Sequence, residues 1–131
     1  LVVGSPSGDG IEYITIATTG NGTVFGYLSV QFRTSAAGCS NGSRGLIGGG
    51  KISVNGGADI NTIDYVTIST LGNATDFGDM TVVSHSRGSC SDGTKGLFAG
   101  GEETLNNVID YVTISTTGNA TDFGDLTTTR G

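Results

Sequence analysis

The chain repeats itself, and a period of several tens of residues constrains the fold more than any single motif does. Glu12-Tyr13-Ile14-Thr15-Ile16 recurs as Asp64-Tyr65-Val66-Thr67-Ile68 and as Asp110-Tyr111-Val112-Thr113-Ile114. Each stretch is followed by a Gly-Asn turn and then a Phe-Gly pair, Phe25-Gly26, Phe77-Gly78 and Phe123-Gly124. The phenylalanines stand 52 and then 46 residues apart, so the unit is constant and one loop varies, chiefly Gly50 to Asn61 against Gly101 to Asn107. Stacked sheets accept insertions of that kind in their loops.

Within a repeat the strands follow from alternation and turn chemistry. Asp64 to Thr70 alternates Tyr65, Thr67 and Ser69 with Val66, Ile68 and Thr70, a period of two. The turn Leu71-Gly72-Asn73-Ala74 ends it, and Thr75 to Val83 predicts the next strand. A third strand, about Arg87 to Ser91, meets the hairpin signal Asp92-Gly93. The fourth, Lys95 to Gly101, has an apolar centre and twin glycines, as expected where backbones crowd. Across the 131 residues, 24 glycines, one proline, no tryptophan and much Thr, Ser, Val and Ile point the same way, to short strands and tight turns without helices.

The net charge of −6, from 12 acidic and 6 basic residues, disfavours a nucleic-acid partner, because such a surface repels phosphate backbones. No apolar run approaches the roughly 20 residues that span a bilayer, and no signal-peptide pattern opens the chain, although the sequence begins inside a repeat. Cys39 and Cys90 hold equivalent places in successive repeats, a separation that ordinarily exceeds the ~7 Å disulfide limit unless both line a narrow axis. They are expected to be free, buried thiols packing as small apolar groups, which leaves the redox compartment open.

The order of these features resembles a kelch repeat: an apolar strand ending in Gly-Gly, a loop, a strand opening with an acidic-aromatic pair, then an aromatic strand. Here it runs Gly96-Leu97-Phe98-Ala99-Gly100-Gly101, then Leu105-Asn106-Asn107-Val108-Ile109-Asp110-Tyr111, then Phe123 and Arg130. Kelch repeats usually carry tryptophan where Phe25, Phe77 and Phe123 stand, and the first copy opens with Leu1-Val2-Val3-Gly4-Ser5 in place of a twin glycine. At the matching arginine position Arg33 and Arg130 agree while Ser84 departs. The resemblance implies an all-β fold of tandem four-stranded antiparallel blades, about three blades of a β-propeller. It divides the chain into repeats of about 1–44, 45–95 and a partial 96–131. The wording shared by residues 64–79 and 110–125 further resembles repeats of tail-fibre-like structural proteins of tailed phages, which implies a virion or extracellular surface location.

A propeller needs at least about four blades to remove its edge strands, and three cannot close alone. Either these repeats belong to a longer chain, the reading favoured because both ends fall within a repeat, or copies of the chain complete one another in a ring.

Residues that suggest chemistry each have a structural account. Asp76-Phe77-Gly78 and Asp122-Phe123-Gly124 spell the kinase magnesium motif, but no glycine-rich loop, strand lysine or His-Arg-Asp accompanies them. Asp76, Asp79, Asp122 and Asp125 could offer oxygens to calcium, yet they lack the dense spacing of a calcium loop, and turn or strand-end hydrogen bonding is expected instead. The sequons at Asn21, Asn41, Asn73 and Asn119 fit turns better than glycans, three of them being one turn repeated. A lone histidine, His85, expected on the surface or between blades, excludes a two-histidine metal site within one chain. Gly48-Gly49-Gly50-Lys51 lacks the Gly-Lys-Ser/Thr that completes a phosphate loop.

No catalytic, cofactor or metal residues are assigned. The expected function is a non-catalytic structural or adhesion module presenting the loops Ser5 to Gly10, Lys51 to Asn61 and Glu102 to Asn107 to neighbouring subunits, further repeats or surface glycans. The alternatives are a bacterial extracellular adhesin and a fragment of a kelch-type copper oxidase, for which Tyr13, Tyr65 and Tyr111 with Tyr27 form no evident ligand set.

Overall fold

Alternating Val, Ile, Tyr and Thr favour a pleated strand with one face buried, and in the computed structural model the stretches leading to Tyr13, Thr67 and Thr113 are strands. The structure describes residues 2–5, 8–102 and 106–129. The strands in chain order are β1 (Val2–Ser5), β2 (Gly8–Tyr13), β3 (Thr23–Tyr27), β4 (Arg33–Thr34), β5 (Ala37–Ser40), β6 (Arg44–Gly48), β7 (Lys51–Ile52), β8 (Thr62–Thr67), β9 (Thr75–Asp79), β10 (Gly88–Ser91), β11 (Lys95–Ala99), β12 (Val108–Thr113) and β13 (Thr121–Asp125), with no helix among the described residues.

They form antiparallel meanders: a three-stranded sheet β1-β2-β3 and two four-stranded sheets, β5-β6-β8-β9 and β10-β11-β12-β13, with a short β4-β7 ribbon beside them. Register repeats between the larger two, Leu46 facing Tyr65 as Leu97 faces Tyr111. Each sheet takes its Gly-Gly strand as second member where a strand of the Cys39 type precedes it, so the sheets themselves run 2–27, 37–79 and 88–125.

The Asp-Phe-Gly triplet is a β-bulge. Asp64 pairs with Asp76 and Ile63 with Gly78, leaving Phe77 as the extra residue, and the same shift leaves out Phe25 and Phe123. Bulges re-aim a side chain, and here Asp76 Oδ1 accepts from Gly78 N at 3.0 Å and Asp122 Oδ1 from Gly124 N at 2.8 Å. Each ring meets its own copy's tyrosine edge-on, Tyr13–Phe25, Tyr65–Phe77 and Tyr111–Phe123, at 6.3, 6.1 and 5.9 Å between centroids.

The core lies between sheets. Ile11, Phe25 and Leu28 of the first copy pack with Ile47 and Val66 of the second. Leu46, Ile63, Phe77 and Met80 of the second pack with Phe98, Val112 and Ile114 of the third. Twin glycines make room for this: Gly49 has φ 62°, and a Cβ there would sit 2.6 Å from Met80 Cε and from the Ser84 carbonyl.

Among the described residues the sheets form no closed ring. Several expectations are corrected. Phe123 is exposed at 56%, against 5% and 3% for Phe25 and Phe77, because no following copy covers it. Cys90 is exposed and Cys39 half-buried, both free, because β5 and β10 run alongside one another at an open edge. The strands stop short of the expected ends, at Thr67, Asp79 and Ala99, where hydrogen bonding to the neighbouring strand gives way to turns. Ser5 and Gly8–Gly10 belong to the β1-β2 hairpin and not to a long loop. Arg130 and parts of two loops, 6–7 and 103–105, lie outside the described residues.

Candidate functional site

The recurrent residues converge at the joints between copies. The Gly-Asn turn of each copy lies along the last strand of the copy before it. Gly72 N donates to Phe25 O at 3.0 Å and Ala74 N to Tyr27 O at 2.8 Å, while Asn73 Oδ1 accepts from Tyr27 N at 3.2 Å. One copy later the pattern returns, Gly118 N to Phe77 O at 2.8 Å, Ala120 N to Asp79 O at 2.8 Å and Asp79 N to Asn119 Oδ1 at 3.0 Å. An open strand edge is thereby satisfied by the next copy's turn. Gly26 and Gly78 permit the approach, since a Cβ on Gly26 would run into the Gly72 carbonyl and one on Gly78 would lie 2.5 Å from the Gly118 backbone.

A buried ion pair closes each joint from the other side. Arg33 and Asp64 are fully buried with Nη1 3.0 Å from Oδ2, and the guanidinium also donates to the carbonyls of Ile47 at 2.9 Å, Thr62 at 2.7 Å and Gly49. Burial pulls the Arg33 pKa down to about 10, against the opposing pull of Asp64. Asp64 further accepts from Ser29 N at 3.2 Å and Ser29 Oγ at 2.5 Å, tying the tail of the first copy to the second. In the third sheet Asp110 does the same with Thr81 at 3.3 and 2.6 Å and with Arg87 at 2.9 Å, and Arg87 donates to the Gly100 and Val108 carbonyls.

Arg87 is the residue that alignment of the repeats misses. Ser84 holds the sequence place of Arg33, as the repeat predicts, but the second guanidinium arrives from three residues later, where the first copy has Ala36. Arg33 with Ala36 and Ser84 with Arg87 are thus two solutions to one problem. The freed Ser84 hydroxyl donates to the Glu102 carbonyl at 2.7 Å. The only signal in the sequence was that an arginine stood nearby.

Beside the second joint the variable loops meet. His85 Nδ1 is 2.6 Å from Asp59 Oδ2, and its Nε2 is 3.3 Å from Glu102 Oε2. Lys51 Nζ stands 3.9 Å from the other Asp59 oxygen, which is buried without a hydrogen bond. His85 therefore bridges Lys51 to Asn61 and the loop beginning at Glu102, a more buried role than a surface histidine. Among the described residues no group of three or more His, Cys, Asp or Glu side chains is arranged to hold a metal. Of the other sequence-selected residues, Asn41 Oδ1 caps its hairpin by accepting from Ser43 N and Arg44 N, as Asp92 Oδ1 does from Thr94 N and Lys95 N. Those backbone donors, Lys95 first, hold the Asp92 carboxyl below its ordinary pKa.

A shallow hollow of about 340 Å³ lies over Ile68, lined by Gly38, Cys39, Gly45 and Leu46. One copy on, the same place is filled, for Cys39 packs against Gly96 and the cluster holding Ile114. Ile114 is buried and Ile68 36% exposed because β5 covers the former, while the first sheet has no equivalent of β5 among the described residues. Burial, with Cys90 nearby, raises the Cys39 thiol pKa to about 11. No family model and no curated protein matches the chain.

Proposed function

We propose that the chain is a non-catalytic structural or adhesion module, an arc of kelch-like β-propeller blades serving a phage virion or tail fibre at an extracellular surface. The observation that carries this reading is where the recurrent polar residues are used. Asp64, Asp76, Asp110, Asn73, Asn119, Arg33 and Arg87 are all engaged in capping a bulge or joining one copy to the next. What differs between copies is the loop set that meets at His85. A rigid repeated frame with variable loops suits presentation to a neighbouring subunit or a surface glycan.

The test pairs binding with chemistry. On an array of bacterial surface polysaccharides, replacing the tip Val54–Gly57 by a two-residue turn is expected to lower binding at least ~10-fold while leaving the melting temperature within a few degrees, since surface changes of this kind rarely cost stability. Stoichiometric copper in the purified protein together with oxidase turnover would overturn the reading.

A further inference from the structure

The chain has a single histidine, and both nitrogens of its ring face carboxylates carried by different loops. His85 Nδ1 lies 2.6 Å from Asp59 Oδ2, and Nε2 lies 3.3 Å from Glu102 Oε2. An ionised carboxylate only accepts, and a neutral imidazole carries one N–H. Two bridges therefore need two protons among the three groups, one more than a neutral ring and two carboxylates hold between them. Histidine is the side chain that ordinarily takes up or gives off such a proton between about pH 5 and 8.

The two bridges are unequal, and the inequality decides which one breaks. The Asp59 side chain is 1% exposed and its Oδ1 is buried without a hydrogen bond, so the ring is the one hydrogen-bond partner of this carboxylate among the described residues. A buried acceptor stripped of its donor has no water to turn to. Glu102 is 53% exposed and its bridge is the longer, so solvent can replace Nε2 there. The other charges near the ring are engaged elsewhere. Lys51 Nζ stands 3.9 Å from Asp59 Oδ1, and the Arg87 guanidinium, two residues along the chain, is committed to Asp110 and to the Gly100 and Val108 carbonyls.

We propose that His85 is a proton-operated latch between the variable loops. With both protons present it ties Glu102 to Asp59. On losing one it keeps Nδ1–H on Asp59, turns the Nε2 lone pair toward Glu102 and lets that side chain go. The backbone stays in place, since Glu102 N donates to the His85 carbonyl at 2.9 Å and Ser84 Oγ to the Glu102 carbonyl at 2.7 Å. What changes is the charge on the loop face. In the closed latch Lys51 and His85 balance Asp59 and Glu102, and in the open one a carboxylate turns to solvent uncompensated. The latch stands on side-chain geometry alone, and only its use, as a change in what the loops present, rests on the module reading above.

The experiment is an NMR titration of the full chain across about pH 5 to 8, in which the ring signals of the lone histidine need no assignment. Above the His85 midpoint the ring nitrogen shifts are expected to show the neutral form protonated at Nδ1. The couplings across the Glu102 Cα–Cβ bond are expected to report one rotamer below that midpoint and averaging above it, the two curves crossing at the same pH. In His85→Ala the averaging should be present throughout and the pH step lost, while the amide signals of the sheets stay in place. Both wild-type readouts stand without the variant should it fail to fold. A neutral ring protonated at Nε2, or a Glu102 rotamer distribution that does not change through the His85 midpoint, overturns the latch and leaves the module reading standing. Copper-dependent turnover would sink that reading without moving either signal.

Discussion

At the residue scale the two buried arginines make the sharpest claim, because each neutralises a carboxylate with no access to water. Removing one partner of such a pair costs about 3–5 kcal/mol, since the charge left behind has nothing to face. Arg87→Ala is therefore expected to lower the unfolding free energy measured in urea by that order, and Ser84→Arg with Arg87→Ala to recover at least half by restoring the arrangement of Arg33 and Ala36. A double variant no more stable than the single one would show the two routes are not interchangeable. The carboxyl of Asp92 gives a pH signature. Its folded pKa is depressed, so its contribution is present above the ordinary carboxylate range and is lost as pH falls through the lowered value. Amide protection at Thr94 and Lys95 should fall on acidification while that at Ser43 and Arg44, held by the untitratable Asn41, stays level. The thiols separate in the same way: Cys90 is exposed and Cys39 is pushed up to about 11, so at pH 8 mass spectrometry should find iodoacetamide on Cys90 first.

At the scale of elements, what could be foreseen was what is local. The strand around Tyr65, the hairpin at Asp92-Gly93 and the turn character of Asn73 are properties of a few neighbouring residues, and all three are present. The partner of Asn73 was not legible, because it is Tyr27, distant in sequence and on another sheet. Nor was the bulge: Asp-Phe-Gly repeats visibly, but that Phe77 leaves the ladder depends on a register set by both strands. The guanidinium of Arg87 escaped for a related reason, since a long side chain can reach one place from two positions three residues apart. Gly78 and Gly124 allow the joint to be weighed directly. Their φ values are 142° and 140°, so valine strains both backbones alike, but only at Gly78 would it strike the next copy. At dilute protein Gly78→Val should cost about 1–3 kcal/mol more than Gly124→Val, the usual range for overpacking. Equal costs by thermal unfolding would mean the turn contributes no tight contact.

For the whole molecule the period was readable and the number of copies in a finished assembly was not, because a repeat specifies how neighbours meet and says nothing of how many there are. Exposure of Phe123 belongs to being last and not to its own sequence, for Asp122-Phe123-Gly124 and Asp76-Phe77-Gly78 are the same three residues in opposite surroundings. Shortening the stack would therefore not remove the bare ring but hand it inward: a chain trimmed after Asp79 would bring Phe77 to the surface in its place. No truncation of such an array yields a finished end, and only a residue change at the terminal edge, or something laid over it, can supply one.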